Sequence, residues 1–228
     1  MKKIHMVDLQ TQYKFIKTNV DAGIEQVLNS AQFINGPAVK SFQKNLESYL
    51  GVKNVIPCAN GTDALQIAMM GLGLKPGDEV ITADFTYAST VEVIALLGLT
   101  PVLVDVDPIT FNINPESIEK VITKKTKAIV PVHLFGQVAQ MEKIIQIAKK
   151  HGIFVIEDNA QALGANFTYS NGNKVKAGCI GDIGTTSFFP SKNLGCYGDG
   201  GAIFTDDDEL AHLISGIAVS YTHLRAHE

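Results

Sequence analysis

A single lysine, Lys192, sits in a run of small and turn-forming residues over 187–201, SFFPSKNLGCYGDGG. Apolar runs enter and leave this stretch at 185–189 and 202–205. Pro190 ends the first run, because proline has no amide hydrogen to give to a sheet ladder. Gly195, Gly198, Gly200 and Gly201 allow backbone conformations and close approach to a ligand that side chains forbid. A lysine on a tight loop between two buried strands is placed to condense with a carbonyl group as a Schiff base. The loop taken alone is as easily an exposed surface turn, and a second stretch upstream decides between the two.

That stretch, 155–162, reads VIEDNAQA. Side chains alternate along a strand, so Glu157 and Asp158 point to opposite faces and one of them looks into any crevice at the strand's end. A carboxylate there can pair with a protonated ring nitrogen, since opposite charges at short range stabilise each other's ionised form. Its other use is to cap the following turn. Gly61 and Thr62 follow a short apolar strand and open a helix, where amides and a hydroxyl can cradle a phosphate. Plain capping by Asn60 or Thr62 accounts for them equally well. Tyr87, after the next strand, either stacks on a flat ring or anchors its helix.

The elements that must position these groups follow an alternating pattern. Phe15, Ile16, Val20, Ile24, Val27 and Leu28 predict an amphipathic helix over 14–30. A turn at Asn35-Gly36-Pro37 leads to a helix through Phe42, Leu46, Tyr49 and Leu50, stopped by Gly51. Strands are predicted at 55–59, 79–82, 102–105, 128–132 and 154–157, and helices at 64–72, 88–97, 115–122 and 141–151. The strands are short, continuously apolar and rich in Val and Ile, the mark of strands covered on both faces. The fold class is therefore α/β, a mostly parallel sheet with helices on both faces. Residues 166–177, with Asn171-Gly172-Asn173, predict a hairpin outside that sheet. The candidate groups all fall beyond the carboxyl ends of strands, where open α/β sheets gather ligands.

The totals exclude several classes. The chain has 228 residues, 46% hydrophobic and 18% charged, ordinary for a globular chain of one large domain or one and a half. A net charge of −4 leaves no electrostatic footprint for nucleic acid. No apolar run approaches the ~18 residues of a membrane span, and the first residues lack a signal peptide's apolar segment. Cys58, Cys179 and Cys196 are too scattered for a metal site or disulfide framework, which suits a reducing, cytoplasmic setting. His223 and His227 lie four apart but have no third ligand nearby, so no metal is expected. No G-x-G-x-x-G opens a helix, which argues against a dinucleotide-binding oxidoreductase.

Five stretches together resemble the DegT/DnrJ/EryC1/StrS family of sugar aminotransferases: CANGTDAL (58–65), DFTYAST (84–90), PVHLFGQ (131–137), IEDNAQA (156–162) and the lysine loop. The resemblance runs from about residue 4 to about residue 217. It implies the large domain of a fold-type-I enzyme that uses pyridoxal 5'-phosphate. It implies that Lys192 forms the Schiff base and shuttles the proton, and that Asp158 pairs with the pyridinium nitrogen. It places Gln161 beside the cofactor's phenolic oxygen, Tyr87 on the ring, and Gly61, Thr62 and Ser187 on the phosphate. The retained Lys192 favours transamination over the family's dehydratases, which carry histidine there. The pattern is most similar to family members acting on a UDP-linked 3-keto glucuronate. That implies a nucleotide-sugar substrate, glutamate as amino donor, a role in surface-polysaccharide (O-antigen) synthesis, and a homodimer at full length. A 4-keto-sugar aminotransferase and a non-catalytic regulatory protein on the same scaffold are the alternatives.

The resemblance also implies departures. The family's smaller C-terminal domain is expected to be missing, together with a partner-subunit asparagine that reaches the phosphate. Residues 1–217 then form the cofactor-binding large domain, and 218–228 read as a non-native read-through tail. The 228-residue chain alone is expected to be inactive.

Overall fold

The computed structural model describes residue 4 and residues 6–219. In chain order the elements are α1 (Leu9–Ser30), α2 (Pro37–Leu50), β1 (Asn54–Cys58), α3 (Gly61–Gly71), β2 (Glu79–Ala83), α4 (Ser89–Leu96), β3 (Thr100–Val104), α5 (Pro115–Val121), β4 (Thr126–Val130), α6 (Met141–His151), β5 (Phe154–Asp158), β6 (Asn166–Thr168), β7 (Lys174–Lys176), β8 (Ile183–Ser187), β9 (Gly201–Thr205) and α7 (Asp208–Val219). A short 3-10 turn, Leu134–Gly136, follows β4.

Seven strands form one sheet in the order β1-β9-β8-β5-β4-β2-β3. Each neighbouring pair from β8 to β3 is parallel, whereas β9 runs antiparallel to both β1 and β8. The reversal follows the lysine loop, which carries no helix and returns the chain beside β8. β6 and β7 pair as the predicted hairpin, separate from the large sheet.

The sheet's alternation sorts its side chains onto two faces. Val80, Ala128, Val130, Ile156 and Ile203 pack with Ala64, Leu65, Ala68 and Met69 of α3, Val93 and Ile94 of α4, and Ala211 and Ile214 of α7. Their strand neighbours Ile81, Ile129 and Val155 face α5 and α6 through Ile118, Met141, Ile144 and Ala148. Beyond them, Val55, Ala202 and Phe204 meet Leu46 and Leu50 of α2. Helices thus cover both faces, as the unbroken apolar strands require.

Local chemistry sets the helix ends. Asp8 accepts a hydrogen bond from the Thr11 amide, so α1 begins five residues before the apolar stripe that predicts it. Pro37 opens α2, and Gly51, at φ +72°, closes it. Gly152 does the same for α6 at φ +64°. None of α1's residues is buried, and Phe15, Ile24 and Leu28 are exposed on its apolar side. α7, which residue patterning does not predict, carries the chain to Val219. The first two residues of the expected tail are therefore helical, and 220–228 lie outside the described residues.

Candidate active site

β1, β5 and β8 deliver their carboxyl ends to one cavity of about 510 Å³. All seven residues singled out from the sequence line it: Gly61, Thr62, Tyr87, Asp158, Gln161, Ser187 and Lys192.

The cavity floor is Asp158, at the end of β5 and 5% exposed. Glu157 points the other way. Its carboxylate is fully buried and accepts the amides of Gly178, Ile180 and Gly181 and the Nε2–H of His133 at 2.7 Å. His133 Nδ1 in turn accepts the Ala139 amide, which fixes the proton on Nε2. The acid that faces the crevice is therefore Asp158. Its Oδ1 accepts the Ala160 amide at 3.1 Å, the turn-capping bond, and its Oδ2 accepts the Thr90 hydroxyl at 2.9 Å. Capping and a place at the cavity are thus compatible, because they use different lone pairs. Burial pushes the Asp158 carboxyl above the usual carboxylate range, against those two donors and the fields of His133 and Lys192.

The wall opposite is the first turn of α3. Asn60 is its cap, accepting the Asp63 amide at 2.8 Å. The amides of Gly61 and Thr62, one and two residues into the helix, have no intrahelical acceptor and are left for an anion. A Cβ on Gly61 would lie 2.7 Å from Ser187 Cβ. Glycine is what lets the helix terminus close on the end of β8. The Ser187 hydroxyl accepts the Phe189 amide at 3.2 Å, so its own proton is free to donate.

The lysine loop folds tightly on itself. The Lys192 amide donates to Phe189 O, and the Cys196 amide to Phe188 O, each at 2.8 Å. A Cβ on Gly195 would sit 2.3 Å from Pro190 O, and one on Gly201 2.4 Å from the Asn60 carbonyl. Of the four loop glycines only Gly198 takes a positive φ, +147°. Gly195 and Gly201 are thus needed for contact between chain segments. Gly201→Ala is expected to destabilise the chain by about 1–3 kcal/mol, since rigid backbone must move. Denaturant unfolding checks this, and an unchanged midpoint would count against it.

Among the described residues, Lys192 Nζ has no hydrogen bond or ion pair. Burial pushes the Cys58 and Cys179 thiols up to about 12, which leaves them poor nucleophiles. Gln161 Oε1 accepts the Phe135 amide at 2.7 Å, so its NH₂ is the end left to donate. Tyr87 stands at the mouth, 69% exposed. Among the described residues no group of three or more His, Cys, Asp or Glu could hold a metal ion, and no helix is long and apolar enough to cross a membrane.

Residue patterning missed Thr90, His133 and Glu157's anchoring role. Both Thr90 and His133 lie in stretches that carry the family resemblance, but their partners come from far along the chain.

The model of the DegT/DnrJ/EryC1/StrS aminotransferase family matches residues 14–225. The chain belongs to this family. A UDP-2-acetamido-2-deoxy-3-oxo-D-glucuronate aminotransferase of Pseudomonas aeruginosa is 54% identical to this DegT/DnrJ/EryC1/StrS chain over 216 residues, 94% of this chain and 58% of that protein. A pleiotropic regulatory protein of Geobacillus stearothermophilus is 50% identical, over 91% of this chain and 55% of its own length. The crystal structure of NtdA from Bacillus subtilis with bound cofactor PMP superposes with a TM-score of 0.86 at 36% identity, covering 95% of this chain and 48% of that one. The chain thus spans about half the length of the relatives it matches.

Proposed function

We propose that this chain is the cofactor-binding part of a pyridoxal 5'-phosphate-dependent aminotransferase that moves an amino group from an amino acid, glutamate as the expected donor, onto a keto-nucleotide sugar. The observation that carries the reading is one cavity holding an unpaired lysine amine, a buried carboxylate and an open helix N-terminus. Those are the three groups that a phosphorylated pyridine aldehyde needs. A UDP-linked 3-keto sugar is the leading substrate class, supported by the Pseudomonas relative. Surface-polysaccharide synthesis of the O-antigen type, a cytoplasmic location and a homodimer at full length complete the proposal.

Each residue then has a physical task. The amides of Gly61 and Thr62 and the Ser187 hydroxyl hold the phosphate. Asp158 keeps a proton on the ring nitrogen facing it, because a buried carboxylate is stabilised by a cation that stays. Gln161 donates its NH₂ to the phenolic oxygen. Tyr87 covers the ring and excludes water. Lys192 Nζ would be the nucleophile toward the aldehyde carbon and, once displaced, would take the proton from the amine-bearing carbon of the donor and deliver it to the former aldehyde carbon, the reverse transfer serving the keto sugar. When bound, the cofactor supplies an electron sink for the carbanion that this proton transfer leaves.

We further propose that residues 1–217 form the large domain, and that amino transfer also needs the part of the relatives' length that this chain does not span. The test compares this chain with a version continued after Ile217 by the C-terminal region of the Pseudomonas relative. Both are assayed for amino transfer from glutamate to a panel of 3-keto and 4-keto nucleotide sugars. Transfer by the extended version alone is expected, best with a 3-keto sugar. A preference for 4-keto sugars selects the alternative substrate class. Full activity of the 228-residue chain overturns the need for the second domain. The name of the Geobacillus relative keeps a regulatory role as the rival reading. An extended version that binds no pyridoxal phosphate would favour it.

A further inference from the structure

We propose that Thr90 is a positioning residue for Asp158: its buried hydroxyl and the Ala160 amide clamp the carboxylate, one donor on each oxygen, in the plane that a protonated ring nitrogen in the cavity requires. The inference rests on the reading of the cavity as a cofactor site, and it adds a residue on a different helix to that machinery.

Thr90 lies in the first turn of α4 and is 0% exposed. Its Oγ1 is 2.9 Å from Asp158 Oδ2 across 68 residues of sequence. Ala160, on the chain leaving β5, holds Oδ1 at 3.1 Å. With one donor on each oxygen, the carboxylate cannot turn about its terminal bond without breaking a hydrogen bond. Each oxygen keeps a lone pair for a further partner. A methyl group in place of the hydroxyl would keep the volume and lose the clamp on one side.

The charged and titratable groups around Asp158 are few. His133 approaches from the segment after β4, and its amide donates to Asp158 O at 3.0 Å. Lys192 contributes its field from the lysine loop, and Glu157 is turned to the opposite face. None of these donates a side-chain hydrogen bond to the Asp158 carboxylate among the described residues, so Thr90 is its side-chain donor.

The test uses the 228-residue chain and three variants, Thr90→Val, Thr90→Ser and Thr90→Ala. The Asp158 carboxyl is titrated by carbon-13 NMR without cofactor. Losing a donor to the charged form in a buried site should raise its midpoint by about one pH unit in Thr90→Val, and Thr90→Ser should restore it. If Thr90→Val does not fold, Thr90→Ala tests the same direction. Equal midpoints in the parent and the hydroxyl-free variant overturn the clamp. Pyridoxal phosphate labelled with nitrogen-15 in the ring is then added. Its resonance should move toward the unprotonated pyridine position in the hydroxyl-free variant and return in Thr90→Ser. A carboxyl midpoint that moves while the ring resonance stays fixed overturns the ring-directed role. Failure of the version extended after Ile217 to bind the labelled cofactor overturns the cofactor reading itself, and the carboxyl titration still decides the clamp.

Discussion

Lys192→Ala in the extended version is expected to lower amino transfer by at least about 10³-fold while the fold stays intact, because the proposed function gives Lys192 the roles of both nucleophile and proton shuttle. The structural cost is small. Lys192 is half-buried on a loop, and its Nζ makes no hydrogen bond or ion pair among the described residues. Truncation there should change stability by no more than about 0.5 kcal/mol. Nothing nearby replaces it: the Cys58 thiol is pushed up to about 12 by burial and is already engaged with Asn60 O. Borohydride should fix pyridoxal phosphate covalently to the parent and not to the variant. Turnover that survives in Lys192→Ala, measured at steady state with glutamate, would remove Lys192 from the chemistry.

The alternation of short apolar strands with helices is plain in the residues because the central strands β2, β4 and β5 are covered on both faces, so no polar face interrupts them. The predicted limits of helix α6 coincide with the observed Met141–His151, since a strong apolar stripe ends at Gly152, which takes the left-handed conformation that stops the helix. Helix α7 is not predicted from its residues. Gly216 and the β-branched Ile214, Ile217 and Val219 weaken any intrinsic preference, and the helix rests on Ala211 and Ile214 packing into the core with α3. The cavity residues are legible where they close a strand, as Asp158 and Ser187 do, or open a helix, as Gly61 does. Thr90 is not, because its role exists only once α4 is laid beside β5. The loop glycines carried a true signal with an incomplete cause. Gly201 is small because Asn60 lies against it, a contact that no spacing rule reveals. The stripe on α1 is apolar as its spacing predicts, yet among the described residues nothing buries it fully.

Asp158→Asn should separate stability from function. In the cofactor-free chain, burial raises the proton affinity of the Asp158 carboxyl above its unfolded value. The sign follows from linkage: the contribution to stability is whole below the ordinary carboxylate range and is lost as the pH rises through the raised folded value. Above the ordinary carboxylate range the buried acid is therefore a cost, whether as a desolvated charge or as a proton taken up on folding, and a neutral amide of the same shape removes it. Asn can still accept the Ala160 amide through its side-chain oxygen, while its NH₂ donates to the Thr90 hydroxyl oxygen. The cofactor-free variant should accordingly unfold at a higher denaturant midpoint than the parent at pH 7, with the difference shrinking on acidification. Catalysis should move the other way. Without the negative charge the ring nitrogen loses its proton, the electron sink weakens, and the proton-transfer step in the extended version should slow by about 10²–10⁴-fold, more than cofactor affinity falls. A pair of curves, unfolding against pH without cofactor and single-turnover rate with it, tests both halves. Equal rates in the two proteins would free Asp158 from the ring. A variant less stable than the parent at pH 7 would mean that the donors from Thr90 and Ala160 outweigh burial.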